Sequence, residues 1–282
     1  MGQKVVYYIC PQVWAWHRSR IPKMARIVNR LIVIFPFEPD VFKDTSLKVD
    51  FVGHPLVDIA EKALAEPLKD LPWKGDARIA LLPGSRHQEI DRIFPSMLSG
   101  AALLEKQVPD AAFIVASPSE EIAAKVRGIL AAQSDKPACC EVVVGETRQV
   151  LRQARAAMVA SGTATIETAL MGCPMIVVYK AAALTYFFGR MLVKIPHIGM
   201  VNVVARRLVC PEFIQGNATP SALAAALEPL LDDTPERKEM LEGLREVSAL
   251  LGEGGASARA AALVLQELES VKAAQAVASK SA

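Results

Sequence analysis

Short, continuous apolar runs recurring between helix-like stretches constrain this chain most. Strand candidates, most of them such runs, fall at residues 5–9, 31–35, 48–52, 78–82, 112–116, 141–144, 156–160 and 175–179. Most lack the polar alternation of a strand with one wet face. A run of that kind suits a parallel strand buried on both faces. Helical patterns lie between them, at 19–29, 56–65, 88–106, 120–131, 147–153 and 163–171. Strand and helix in turn predict an α/β fold, with Rossmann-type parallel sheets and helices on both faces. Beyond Tyr179 the pattern turns helical, at 184–193, 221–231, 236–251 and 256–273.

A length of 282 residues allows two domains. Gly53-His54-Pro55 is the expected break. Residues 1–52 read as the tail of one Rossmann-like domain and 53–272 as a second with C-terminal helices. Residues 273–282, rich in Ala, Ser and Lys, read as a disordered tail. Three strands with little helix make the first domain incomplete, with an apolar edge that another element or an upstream segment must cover.

Hydrophobic residues make up 52% of the chain, and the mean hydropathy is +0.26. Buried strands explain this, because the strand-like runs fall far short of the ~20 residues of a membrane span. A net charge of +2 offers no general field for nucleic acid. The five cysteines are odd in number and form no CxxC pair, which argues for plain thiols in a reducing cytoplasm rather than disulfides or zinc.

Two loops carry the chemistry. Pro83-Gly84-Ser85-Arg86 follows one strand, and Ser161-Gly162-Thr163 follows another. Each opens a helix. Glycine lets the backbone approach a ligand, Ser or Thr caps the helix, and the N-terminal N–H groups face an anion. An ordinary βα turn or capped helix is the plain alternative for each. Arg86 favours a phosphate, since a cation at a helix N-terminus opposes the macrodipole unless an anion intervenes. Thr163 and Glu167 share one helical face, so a hydroxyl would meet phosphate while the carboxylate accepts from ribose hydroxyls. A nucleoside diphosphate held from two sides fits the pair of loops.

Other features have two readings each. Trp14 and Trp16 after the first strand are core or substrate contacts. Arg18, Arg20, Lys23, Arg26 and Arg30 form a solvated face or a site for anionic head groups. His54 is structural or touches the ligand from the hinge. Asn202, Arg206, Arg207, Glu212 and Gln215 are a polar set in apolar sequence, as helix surface or as cleft lining. No GxxxxGK[ST], GxSxG, HExxH or GxGxxG pattern occurs, and no Asp-x-Asp suggests a metal on the diphosphate. Neither cofactor nor metal is expected.

In order and spacing, many segments resemble the lipid-A-disaccharide synthase family of GT-B glycosyltransferases. They are Tyr8-Ile9-Cys10-Pro11-Gln12-Val13-Trp14-Ala15-Trp16, Phe35-Pro36-Phe37-Glu38, Phe51-Val52-Gly53-His54-Pro55-Leu56, residues 81–86 with Glu89, Ala160-Ser161-Gly162-Thr163-Ala164, Cys173-Pro174-Met175, and 202–215. The resemblance implies transfer of 2,3-diacylglucosamine from UDP-2,3-diacylglucosamine to 2,3-diacylglucosamine 1-phosphate, giving lipid A disaccharide 1-phosphate and UDP. It makes 1–52 acceptor-side and 53–272 UDP-sugar-binding. Gly84, Ser85, Arg86, Ser161, Gly162, Thr163 and Glu167 would hold the nucleotide. Asn202, Arg207, Glu212 and Gln215 would line the same cleft, with Arg86 stabilising the diphosphate, and His54 joins the expected substrate contacts from its place at the hinge. It also implies a Gram-negative, cytoplasmic protein, peripheral on the inner membrane, able to form homodimers through its last helices. Met200-Val201-Asn202 departs from the family's Leu-Pro-Asn but keeps the Asn. The family's upstream Gly-Glu-x-Ser-Gly-Asp loop and its aspartate base have no counterpart here, so no general base is identified. A UDP-binding or dimerisation fragment without turnover is the first alternative expectation, and a GT-B-like UDP-sugar epimerase the second.

Overall fold

The computed structural model describes residues 4–182 and 196–280, with backbone alone from 273. The helix expected over 184–193 lies outside the described residues. The chain divides into two compact units, 4–59 with 249–280 and 60–182 with 196–248.

The first unit opens with β1 (Val6–Tyr8), α1 (Val13–Trp16), α2 (Ile21–Ile27), β2 (Arg30–Val33), α3 (Glu38–Val41) and β3 (Lys48–Phe51). The strands form a parallel sheet ordered β1-β2-β3. Strand periodicity sends the β2 side chains to opposite faces. Leu31 and Val33 join Cys10, Val13, Met24 and Phe42 in one apolar cluster, and Ile32 joins Val52 and Ala260 in another. α4 (Leu56–Ala65) follows, and the boundary between the units falls within it.

The second unit runs β4 (Ala77–Leu82), α5 (His87–Gln107), β5 (Ala111–Ser117), α6 (Glu120–Ala132), β6 (Cys140–Val144), α7 (Thr147–Gln153), β7 (Ala156–Ala160), α8 (Thr163–Leu170), β8 (Met175–Tyr179), α9 (Met200–Ala205), β9 (Glu212–Ile214), α10 (Pro220–Leu227) and α11 (Pro235–Leu250). Its six strands are parallel, in the order β6-β5-β4-β7-β8-β9. β5 and β7 are buried along their whole length, as their uninterrupted apolar sequences require. α5 lies against α10, where Gly100 leaves room for Leu223: a Cβ on it would stand 3.2 Å from both Leu223 Cβ and the Pro220 carbonyl.

From residue 249 the chain belongs to the first unit again, which corrects the division at 52/53 drawn from sequence. α12 (Ala256–Lys280) puts Ala260 and Leu263 against the Ile32 face of the small sheet. Arg259 donates to the carbonyls of Val52, Gly254 and Glu253 at 2.9, 2.7 and 2.8 Å. One apolar face of the small sheet thus meets a helix from the far end of the chain. α12 also continues to Lys280, through most of the segment expected to be disordered. Arg30 leaves the basic face assigned to it. It is buried, with Nε 2.8 Å from Asp50 and Nη1 3.5 Å from Glu267.

Candidate functional site

The order β6-β5-β4-β7-β8-β9 reverses direction between β4 and β7. From β4 the chain winds outward to β5 and β6, then returns to lay β7 on the other side of β4. Loops at such a reversal diverge and leave a crevice at the carboxyl ends of the strands. Both loops singled out in the sequence emerge there, since Leu82 and Val159 are register partners in the adjacent strands.

Gly84 has φ +112°, a region other residues rarely enter, and a Cβ on it would lie 2.9 Å from Glu89 Oε2. Arg86 occupies the N-cap position of α5 in extended conformation and is 82% exposed, its Nη1 3.6 Å from Glu89 Oε1. Ser85 is exposed beside it. Gly162, at φ +150°, is the N-cap of α8, and nothing lies within 4 Å of where its Cβ would be. Thr163 is exposed in the first turn of α8. Neither helix start has a side-chain cap, which corrects the capping role expected for the serines. Ser161 instead donates to the Ile198 carbonyl at 2.8 Å, tying the loop to the approach to α9. Uncapped first-turn N–H groups keep their affinity for an anion.

Glu167 is half-buried, with Oε1 2.8 Å from Arg148 Nε on α7. The later polar set separates. Asn202 is fully buried and engages both ends of its amide. Its Oδ1 accepts from Val209 and Cys210 N–H at 2.8 and 2.9 Å, and its Nδ2 donates to the Cys210 carbonyl and Glu212 Oε1 at 2.8 and 2.7 Å. It cannot also line a ligand cleft. Glu212 accepts from the N–H groups of Ile198 and Gly199 just before α9. Arg207 pairs with Glu246 of α11 at 2.5 Å. Gln215, at φ +52°, exchanges two bonds with the Ala181 backbone, at 2.9 and 3.1 Å.

His54 belongs to the first unit and is 4% exposed. Its Nδ1 accepts from the Leu56 N–H at 3.2 Å, its ring centroid lies 5.1 Å from that of Phe35, and burial pulls its pKa down to about 4. A neutral imidazole enclosed in this way is structural, which corrects its place among ligand contacts. Glu38 is also buried. Its carboxylate accepts from Ile34 N, Phe35 N and Trp14 Nε1, yet burial outweighs those bonds and pushes its pKa up to about 7.

Three further residues escaped the sequence reading: Arg92, Ser96 and Lys180. Lys180 directly follows β8, at the strand edge where ligands bind, and that position was the available signal. A pocket of about 240 Å³ is lined by Arg86, Glu89, Arg92, Tyr179 and Lys180. A second, of about 370 Å³, shares Arg92, Lys180 and Ala181 with it and adds Gln215 and Gly216. Burial lowers the pKa of Lys180, whose Nζ donates to Ser96 Oγ.

The profile of the lipid-A-disaccharide synthetase family matches residues 1–265. The lipid-A-disaccharide synthase of Syntrophus aciditrophicus is 40% identical over 269 residues, covering 94% of this chain and 69% of that protein. That of Geobacter metallireducens is 40% identical over 272 residues, covering 95% and 70%. Among solved structures, the S. aureus MnaA–UDP complex superposes with a TM-score of 0.57 at 14% identity, over 87% of this chain and 62% of that one. The calicheamicin glycosyltransferase CalG4 does so with a TM-score of 0.53 at 20% identity, over 86% and 53%. These two likenesses are of fold alone, and the fold is that of GT-B glycosyltransferases. The sequence matches go further: the chain belongs to the lipid-A-disaccharide synthetase family, glycosyltransferases of lipid A biosynthesis.

Proposed function

We propose that the second unit binds UDP-2,3-diacylglucosamine through the loops after β4 and β7. The chain would then serve transfer of its sugar to the 6-hydroxyl of 2,3-diacylglucosamine 1-phosphate. One observation carries this reading. Two uncapped helix starts, each preceded by a glycine with positive φ, stand side by side where the strand order reverses. Their N–H groups and Arg86 would stabilise the negative charge that grows on the diphosphate as the C1–O bond breaks. Glu167, steadied by Arg148, is positioned to accept from ribose hydroxyls.

Calorimetric titration with UDP tests this. Saturable binding weakened ~10-fold or more by Arg86→Ala and by Glu167→Ala is the expected result, on the scale of a lost charge-assisted hydrogen bond. A folded chain giving no heat with UDP would overturn it.

Attachment to the inner membrane is proposed for the stretch around α2. Arg18, Arg20, Lys23 and Arg26 are exposed there together with Trp16 and Ile27. Cations beside exposed apolar side chains suit an anionic lipid surface. No helix among the described residues is long and apolar enough to cross a membrane. Cosedimentation with anionic vesicles, lost on neutralising Arg20, Lys23 and Arg26, is the check. Self-association is proposed through α12, where Leu265 and Leu268 are exposed one turn apart, and sedimentation of a Leu265→Glu variant tests it.

A further inference from the structure

The pocket beside the β4 loop has a charge excess to which two residues outside the glycine loops, Arg92 and Lys180, contribute. Arg86, Arg92 and Lys180 line it against one carboxylate, Glu89, so three positive charges less one negative leave +2. Glu89 stands 3.6 Å from Arg86. Among the described residues, no carboxylate lies within ion-pair distance of Arg92 or Lys180. Cations converging on one cavity repel one another, and a half-buried ammonium loses hydration that no counter-charge replaces. An anion relieves both costs.

The walls are built rather than incidental. Lys180 Nζ is held by Ser96 Oγ, one turn beyond Arg92 on α5. The peptide after Lys180 is fixed by the two Gln215–Ala181 bonds, at 2.9 and 3.1 Å, on the opposite rim. A guanidinium offers two parallel donors and the ammonium a third. That set, with a charge of +2, matches the oxygens and charge of a phosphate better than those of a carboxylate.

We propose that Arg92 and Lys180, with Ser96 positioning the ammonium, form a phosphate-binding pocket at the carboxyl edge of the large sheet. The proposal rests on reading that edge as the substrate site. Phosphate can arrive in two ways, as the terminal phosphate of a nucleoside diphosphate or as a monoester on a sugar.

Calorimetry on the 282-residue chain with UDP, uridine and glucosamine 1-phosphate separates these, the last ligand being titrated with and without saturating UDP. Arg92→Gln and Lys180→Met should each weaken one phosphate ligand by ~10- to 100-fold, the range for a lost hydrogen bond to a charged group. Uridine affinity should not change, and Lys180→Arg should restore most of the loss. A loss confined to UDP assigns the pocket to the nucleotide. Glucosamine 1-phosphate binding that persists under saturating UDP, and is lost in both variants, assigns it to the monoester. Variants that stay folded by circular dichroism and bind both phosphates normally would overturn the proposal. So would a parallel loss of uridine, or a wild-type chain that binds neither phosphate. If Arg86→Ala alone lost UDP, this proposal would fail while the nucleotide reading survived. If the wild type bound only glucosamine 1-phosphate, dependent on Arg92, the reverse would hold.

Discussion

Asn202 donates to Glu212 across 2.7 Å, and that contact joins two sets of backbone bonds into one network. On one side the Asn202 amide holds the N–H groups of Val209 and Cys210. On the other the Glu212 carboxylate holds those of Ile198 and Gly199. The pair thereby fixes the approach to α9 and the strand that leads to Gln215. Asn202→Ala should therefore destabilise the protein by roughly 3 kcal/mol, because buried donors lose their acceptor. Asn202→Asp should cost at least as much, since it sets a second carboxylate beside Glu212. Urea denaturation measures both. An unchanged midpoint with weakened UDP binding would instead make Asn202 a ligand contact.

Gly84→Ala should cost about 1–3 kcal/mol, from a positive φ and a Cβ placed against the Glu89 carboxylate. Displacing Glu89 also removes the neighbour of Arg86, so UDP affinity should shift along with stability. Wild-type values for both would mean that the loop relaxes freely.

The pH dependence of stability should reveal two opposed groups in the first unit. Glu38 titrates in the folded state near 7, above its ordinary 4.5, so its contribution is full at low pH and declines as pH rises from about 4.5 to 7. His54 titrates near 4, below its ordinary 6.5, so its contribution is full above 6.5 and is lost as pH falls toward 4. Each is on the order of 3 kcal/mol. The wild type should look nearly flat between pH 4.5 and 6.5. Glu38→Gln should leave stability rising with pH across that window, and His54→Phe should leave it falling. Urea midpoints at pH 4.5, 5.5, 6.5 and 7.5 test this, and a Glu38→Gln profile parallel to wild type would count against it.

Arg259→Met should lower the urea midpoint, because the Val52, Gly254 and Glu253 carbonyls lose a common donor. About 1–3 kcal/mol is expected, chiefly from the part-buried bond to Val52, since the bonds to Gly254 and Glu253 are exposed. Arg259→Lys should recover only part, since an ammonium cannot reproduce the spread of a guanidinium. Full recovery by lysine would show that charge rather than shape holds these carbonyls.

Most of the sheet was readable in advance because fully buried strands announce themselves: 156–160 and 175–179 coincide with β7 and β8 to the residue. β9 was not, since Glu212–Ile214 is three half-buried residues opening on a carboxylate. α1, α3 and α9 span at most six residues, too few to display a helical period. The two glycine loops were legible because φ and chain position leave local marks. Asn202 was misread because a polar residue whose bonds all go to backbone and to Glu212 looks, in sequence, like one waiting for a ligand. Arg92 and Lys180 were missed because only the fold brings α5 beside the end of β8.

Strand β2 lies in the first 59 residues, but Ala260, packed against its Ile32 side, is 228 residues downstream (260 less 32). During synthesis the small sheet must therefore wait, one apolar face bare, while the entire six-stranded unit leaves the ribosome. The later-made unit has all its strands first, and the earlier-made one is finished last. Non-local closure of this kind is slow. An arrest series along the nascent chain should register protease resistance in 60–182 and 196–248 well before 4–59.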